Sequence, residues 1–208
     1  MKMKKIDLNT IIQTYPSYEA YLNAEFNGKI AEMKSRETTL NDEEKTLLNT
    51  ISGYHTVIQQ ILASYTPSAE MTAAAQKISE PLDVYIVTEN WCGSSMANLP
   101  YIVKILATNK NFNVMVALRD SNPDFMNLYL NPTGGKSIPK VIGVNKAAEE
   151  VIDWGSNSKA EAAKRKELLA EGDERAVFIQ KLSAWFTDNN LKAIEDDFKE
   201  VFASVSKH

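Results

Sequence analysis

The stretch Asp83–Pro100, DVYIVTENWCGSSMANLP, joins a short β-branched and aromatic run to a helix-forming segment, and it contains the only cysteine of the chain, Cys92. The run Asp83–Glu89 is apolar on both faces, which is typical of a central, buried strand. The residues after Cys92 predict a helix that continues to about Asn109. The thiol is therefore expected just beyond the carboxyl end of a strand, where open α/β sheets place their ligand sites.

The predicted position of Cys92 at the first turn of a helix has chemical consequences. Free backbone N–H groups and the helix dipole favour an anion there, and the thiolate is the nucleophilic form of cysteine. Gly93 permits close approach of a substrate or of backbone. Ser95 either donates a hydrogen bond to the thiolate or serves the end of the helix. An inert core thiol is the alternative, since free cysteine is among the most buried residue types.

The segments after Asn109 predict the rest of a mixed sheet. Phe112–Leu118 is interpreted as a second buried strand, Pro123–Leu130 as a short helix, and Ile138–Val144 with Glu149–Trp154 as a hairpin. Strand–helix–strand order implies a parallel pair with a right-handed crossover, and the hairpin adds antiparallel strands. The predicted order is β-α-β-α-β-β-α, an α/β layer fold with a mixed four-stranded sheet.

Helices are predicted before this sheet. Residues 1–80 are interpreted as a helical N-terminal extension without strands, because apolar residues recur there at spacings of three and four. Asn41 and Glu44 predict a capping box at the start of one of these helices. A further short helix is predicted over about Ser68–Lys77.

Residues 81–208 are interpreted as the α/β domain with a helical C-terminal tail. The polar run Thr187–Asn190 predicts a break before the last helix. The apolar stripe of that helix consists of Leu191, Ile194, Phe198, Val201, Phe202 and Val205.

Composition and charge restrict the class of protein. Hydrophobic residues make up 44% of the 208 residues and the net charge is −4. This balance argues against nucleic acid as a partner, because phosphate binding needs a basic surface. No apolar run approaches the roughly 20 residues that span a bilayer, so no membrane partner is expected. The start of the chain lacks the apolar core of a secretory signal and a lone cysteine forms no internal disulfide, so a cytoplasmic location is expected.

The other candidate residues do not predict a second chemical site. His55 lies on or beside the apolar face of a helix and is interpreted as a packing residue, and His208 ends the chain. No metal-ligand spacing and no complete phosphate-binding loop occurs, so neither a metal nor another cofactor is expected. Gly134–Ser137, GGKS, is interpreted as the loop that delivers Pro139.

Three features of the sequence, taken with the predicted elements, resemble the active site of the thioredoxin superfamily. Trp91-Cys92-Gly93 opens a helix, Pro100 matches the proline that kinks the family's active-site helix, and Ile138-Pro139 matches the family's cis-proline. The resemblance covers roughly residues 81–154 and one following helix, and it implies a thioredoxin-like fold with Cys92 as the catalytic residue. The residues that shape this site are then Trp91, Gly93, Ser94, Ser95, Ile138 and Pro139. The layout is also similar to a bacterial thioredoxin-like family of largely uncharacterised members, several of which keep one cysteine.

The departures from the thioredoxin pattern define the expected chemistry. Thioredoxins reduce disulfides with two thiols, and the second thiol resolves the mixed disulfide. Ser95 holds that second position, Ser94 replaces the proline common between the two cysteines, and Ile86 stands where the family buries an aspartate. The resemblance therefore implies a monothiol thiol-disulfide oxidoreductase, whose partners are a disulfide-containing protein and a low-molecular-weight thiol.

A non-catalytic thioredoxin-fold module that binds peptides is the alternative function. In that case the loop at Pro139 offers backbone hydrogen bonds to an extended peptide by strand addition. The helical ends then supply a surface for a partner.

Overall fold

A four-stranded mixed sheet forms the centre of the fold in the computed structural model, which describes residues 4–11 and 13–206. The strands are β1 (Leu82–Thr88), β2 (Phe112–Leu118), β3 (Lys140–Val144) and β4 (Glu150–Gly155). Their spatial order is β2-β1-β3-β4, with β1 and β2 parallel and the other two pairs antiparallel. The thioredoxin-like fold with its mixed four-stranded sheet, predicted from the sequence, is confirmed.

The helices surround this sheet. They are α1 (Tyr18–Leu22), which continues through a π-helical segment (Asn23–Gly28) into α2 (Lys29–Ser35), then α3 (Asp42–Ser64), α4 (Ala69–Gln76), α5 (Gly93–Leu106), α6 (Pro123–Asn127), α7 (Lys159–Ala170) and α8 (Arg175–Val205). The predicted capping box at the start of α3 is confirmed, because Asn41 and Glu44 each accept the other's backbone N–H. Within the described residues, no helix is both long and apolar enough to cross a membrane.

Strand β1 separates two clusters of buried side chains. Val84 and Ile86 belong to a large cluster that includes residues of α1, α3, α4, α5 and α8, whereas Tyr85 and Val87 belong to a smaller cluster with α6. Both faces of β1 are therefore buried, as its apolar sequence predicts. The N-terminal helices and the sheet share the larger cluster.

The segment before α1 pairs with the sheet, contrary to the prediction of helices alone. Tyr15 and Val116 exchange two backbone hydrogen bonds of 2.7 and 3.0 Å, and Lys5 forms a bridge with Glu149. Strand β2 is the outer strand of the sheet and its residue Asn113 is exposed, so its prediction as a fully buried strand is also wrong. An edge strand carries unpaired backbone groups, and the Tyr15 bridge satisfies two of them.

Helix α8 runs without interruption through Thr187–Asn190, so the predicted break is wrong. Asn190 is 2% exposed, and its Nδ2 donates to the carbonyl oxygen of Ala97 at 2.7 Å. That carbonyl lies in the turn of α5 before Pro100, where a proline inside a helix disturbs the usual hydrogen bonds. Asn190 therefore forms a packing contact between α5 and α8, a role that local sequence preference does not indicate.

A buried carboxylate joins the hairpin to the C-terminal helices. The indole Nε1 of Trp154 in β4 donates to Oδ2 of Asp197 in α8 at 2.9 Å. The backbone N–H of Lys159, at the start of α7, donates to the same oxygen at 3.1 Å. Asp197 is only 7% exposed, so without its carboxylate the N–H groups of Trp154 and Lys159 have no ready acceptor. The carboxylate therefore holds β4, α7 and α8 together.

We expect Asp197→Ala to lower the free energy of unfolding by about 2–4 kcal/mol, because it leaves the Trp154 and Lys159 N–H groups without an acceptor. Urea denaturation measures this change. Asp196→Ala is the matched control: the Asp196 side chain is 48% exposed and pairs with lysines at the surface, so a change within about 0.5 kcal/mol is expected. Equal losses in both variants would contradict the role given to Asp197.

Candidate functional site

Cys92 is the N-cap residue of α5. Its backbone N–H donates to the carbonyl oxygen of Glu89 at 3.2 Å, and its carbonyl accepts the N–H of Met96 at 3.0 Å. The residue is partly buried. The thiol thus lies beside the backbone N–H groups of the first helical turn, which have no partner within the helix.

The loop before β3 packs against this thiol. The Ile138–Pro139 peptide bond is cis, which is the geometry that the resemblance implies. The Sγ atom of Cys92 lies 3.6 Å from the carbonyl oxygen of Ile138, to which the thiol donates. The antiparallel pairing that sets Val87 opposite Lys140 brings the start of β3 to the carboxyl end of β1. The fold therefore joins two segments that are far apart in sequence.

Ser95 forms neither of the hydrogen bonds expected for it. Its side chain is 4% exposed, and its Oγ has no hydrogen-bond partner within the described part of the chain. Ser95 and Cys92 line the same closely packed void, which has no room for water. The Ser95 side chain is therefore enclosed in the protein and shares a void with Cys92. Ile86, at the position of the family's aspartate, is fully buried in β1.

The Arg119 guanidinium stacks on the ring of Trp91, the residue before Cys92. The guanidinium carbon of Arg119 is 4.8 Å from the centroid of the Trp91 ring, and Trp91 is 42% exposed. The hydrogen bond to Asp120 raises the pKa of Arg119 most, and the charges of Asp120, Glu89 and Cys92 add to the effect. Arg119 is therefore a cation close enough to Cys92 for the two charges to interact.

Glu89 contributes a buried carboxyl group to the turn between β1 and α5. Its side chain accepts the backbone N–H of Asp120 at 2.9 Å, and the residue is 8% exposed. Burial raises the pKa of Glu89 above its usual value, and this outweighs the opposing hydrogen bond from Asp120. The carboxyl therefore keeps its proton to a higher pH than an exposed glutamate does.

A groove of about 800 Å³ opens beside Cys92, between α5 and the α7–α8 pair. Most of the residues that line it are apolar, and three are charged: Arg165, Asp173 and Arg175. The apolar lining consists of Trp91, Met96, Ala97, Leu168, Leu169, Phe178, Ile179, Leu182 and Phe186. The thiol is thus accessible to a ligand from this groove.

Tyr54 of α3 closes one end of the groove. Burial raises the pKa of its hydroxyl, and the charge of Cys92 adds to this effect. A Cβ atom on Gly93 would lie 3.1 Å from the Tyr54 hydroxyl oxygen. Glycine at position 93 therefore allows α3 to approach the first turn of α5 closely.

The structure brings the sequence-predicted residues together at the carboxyl end of β1. Trp91, Cys92, Gly93 and Ser94 line the groove, Ser95 shares a void with Cys92, and the carbonyl oxygen of Ile138, which precedes the cis-Pro139, accepts from the thiol. Sequence reasoning missed Tyr54, Arg119 and Arg165. The sequence does indicate that Arg119 lies near the site, because this residue directly follows β2 and β2 ends beside β1. Tyr54 and Arg165 come from helices remote in sequence and carry no such signal.

His55 packs against the core and is not among the residues that line the groove. The ring of His55 stacks on Phe26 with a centroid distance of 5.7 Å, and burial lowers the pKa of this histidine. His208 lies outside the described residues. Across residues 4–11 and 13–206, no three His, Cys, Asp or Glu side chains form a group that could hold a metal ion.

A central mixed sheet, a thiol at the start of the helix after β1 and a cis-proline beside it define the thioredoxin class of proteins. The profile of the family described as thioredoxin matches residues 40–167, more than half of the chain. The chain therefore belongs to the thioredoxin family.

Two solved structures share this fold. One is a protein of unknown function from Pseudomonas aeruginosa, with 15% identity and a TM-score of 0.50 over 93% of this chain and 99% of that one. The other is an HIV epitope scaffold, with 15% identity and a TM-score of 0.51 over 92% and 99% of the two chains. At this identity the likeness extends to the fold alone. No curated protein sequence matches the chain.

We expect Arg119→Gln to slow the alkylation of Cys92 by iodoacetamide at neutral pH by about two- to threefold, because it removes a cation whose charge interacts with Cys92. Mass spectrometry over time gives the rate. Arg36→Gln is the control, since Arg36 forms its ion pairs with Glu32 and Glu44 on the N-terminal helices. An unchanged rate in Arg119→Gln would show that the cation does not act on the thiol.

Proposed function

We propose that this thioredoxin-family protein is a monothiol thiol-disulfide oxidoreductase with Cys92 as its nucleophile. The observation that carries the proposal is the environment of the thiol: it is partly buried at the start of α5, beside the cis-Pro139 loop and open to a groove. A thiol in such an electropositive, accessible position is the kind that reacts with disulfides. The cytoplasm, where small thiols are reduced, is the expected location.

The reaction proceeds by two-electron exchange between sulfur atoms. The Cys92 thiolate attacks one sulfur of a partner disulfide, the S–S bond breaks, and the partner's other sulfur leaves as a thiolate. An external small thiolate then attacks the Cys92 sulfur and releases the partner's second thiol. A second small thiolate attacks the small-molecule sulfur of the new mixed disulfide and frees Cys92. The partner disulfide is reduced, and two small thiols are oxidised to their disulfide.

The chain's other residues assist these steps in distinct ways. The backbone beside Pro139 binds an extended segment of the partner by strand-like hydrogen bonds. Trp91 and Arg119 offer an exposed aromatic and cationic surface next to the thiol. Ser95 makes an external thiol necessary, because a hydroxyl cannot release the bound partner as a disulfide.

We expect Cys92 to form a mixed disulfide when the protein is incubated with oxidised low-molecular-weight thiols at neutral pH. Intact-mass spectrometry detects one adduct, and a reducing agent removes it. Cys92→Ser is the control and gains no mass. Absence of an adduct on folded wild-type protein would refute the monothiol activity and favour a module that only binds peptides.

We expect Ser95→Cys to raise the reduction of insulin disulfides, with dithiothreitol as reductant, by at least about tenfold. The new thiol replaces an oxygen that already shares a void with Cys92, so it can resolve the mixed disulfide within the protein. Ser94→Cys is the matched control, since Ser94 lines the open groove instead of that void. Equal activity of both variants would contradict the assignment of position 95 as the resolving position.

A further inference from the structure

We propose that the groove between α5 and the α7–α8 pair binds the small external thiol, and that this thiol combines an apolar body with an anionic group. The inference rests on the proposed function and names the chemical class of its second substrate. Cys92 and Arg175 both line the groove, so one ligand bound there can contact both residues.

The size and walls of the groove fit a small organic molecule. Its volume of about 800 Å³ lies within the range of roughly 300–1,000 Å³ that is usual for small-ligand sites. Leu169 and Ile179, which line it, are 68% and 50% exposed. Large apolar side chains exposed together at a concave surface indicate a surface that a ligand covers.

Arg165 is held in a fixed orientation at the groove. Its Nε donates to Oε1 of Glu161 at 2.7 Å, and its Nη2 donates to Oγ of Ser94 at 3.2 Å. Glu161 is fully buried, and Nδ2 of Asn98 in α5 donates to its second oxygen at 3.1 Å. Arg165 is thus held in place by the carboxylate of Glu161, which has no access to solvent.

These two hydrogen bonds leave part of the Arg165 guanidinium free to bind a ligand. An arginine has five N–H donors, and within the described residues the donors on Nη1 have no partner. The side chain is 27% exposed. A planar guanidinium with free donors at a groove is a binding group for a carboxylate or a phosphate.

The second cation adds to the positive charge of the groove. Arg175 is exposed at the start of α8, and it forms no ion pair with any described residue. The acidic lining residue Asp173 is already paired with Lys181 at 2.6 Å. Lys181 is shared with Glu171, so the groove offers two arginines to a ligand against one carboxylate that is partly compensated, which favours an anionic ligand.

The groove and the Pro139 loop are separate surfaces around one thiol. Neither Ile138 nor Pro139 is among the described residues that line the groove. A partner disulfide bound at the loop therefore leaves the groove free for the small thiol. The small thiolate attacks the Cys92 sulfur, and the partner's thiolate leaves on the side of the loop.

Two aromatic disulfides of different charge test the proposal: dithiobis(nitrobenzoate), which carries a carboxylate on each ring, and dithiodipyridine, which is smaller and carries no charge. Their reaction with Cys92 is the reverse of the release of the small disulfide. We measure the second-order rate constants of both with wild type, Arg165→Gln, Arg175→Gln and the double variant. The ratio of the two constants within one variant cancels changes in the reactivity of the thiol itself.

We expect each substitution to lower the ratio of the anionic to the neutral disulfide by about threefold, and the double variant to lower it by about tenfold. Arg36→Gln, on the N-terminal helices, leaves the ratio unchanged. Arg175→Gln alone keeps the test valid if Arg165→Gln fails to fold, because the Arg175 side chain is exposed.

A double variant, Leu169→Ser with Ile179→Ser, tests the apolar wall of the groove. We expect both aromatic disulfides to react at least about threefold more slowly with this variant, while alkylation by iodoacetamide stays unchanged.

If the arginine variants keep the wild-type ratio, or if the wall variant keeps the wild-type rates, the groove proposal is wrong and the monothiol activity stands. If neither disulfide reacts with folded wild-type protein, the proposed function itself fails.

Discussion

The antiparallel pairing of β3 with β1 is the constraint on which the site depends. This register sets Val87 opposite Lys140 and carries the Ile138–Pro139 loop to the end of β1. The carbonyl oxygen of Ile138 then lies 3.6 Å from the Cys92 sulfur. Because a shift by one residue in an antiparallel ladder turns every side chain to the opposite face, the buried faces of both strands hold this distance. The chemistry of the thiol is therefore a consequence of core packing.

Buried polar contacts extend this rigidity from the sheet to the C-terminal helices. Asp197 joins β4 to α7 and α8, Glu161 joins α7 to α5, and Asn190 joins α8 to α5. A polar group in the interior is costly unless its hydrogen bonds are formed, so each contact favours one relative position of its elements. The result is a groove whose apolar wall and arginines are fixed beside the first turn of α5.

The outcome at three positions shows how far local sequence rules extend. The bounds of β2 follow from its apolar, β-branched run, and the capping box of α3 follows from side-chain chemistry next to the backbone; both were predicted correctly, whereas the burial of β2 was not. Asn190 was interpreted as part of a break because asparagine has a low helix propensity, yet its buried hydrogen bond to Ala97 overrides that preference. Ser95 was expected to bond the thiolate or the helix end, but the packing around it leaves its Oγ without a partner among the described residues.

The sequence by itself determined the order of strands and helices along the chain, the position of Cys92 at the start of a helix and the serine at position 95 in place of a second cysteine. Each of these depends on neighbouring residues along the chain. The tertiary structure alone decided that Arg119 stacks on Trp91 and that Arg165 reaches the groove. The place of Arg119 after β2 indicates its end of the sheet but not its partner, and the separation of Arg165 from α5 in the chain carries no periodic or motif signal. Both contacts arise only when the parallel β1–β2 pair and the α7–α8 pair assemble around α5, since only then do residues remote in sequence meet at its start.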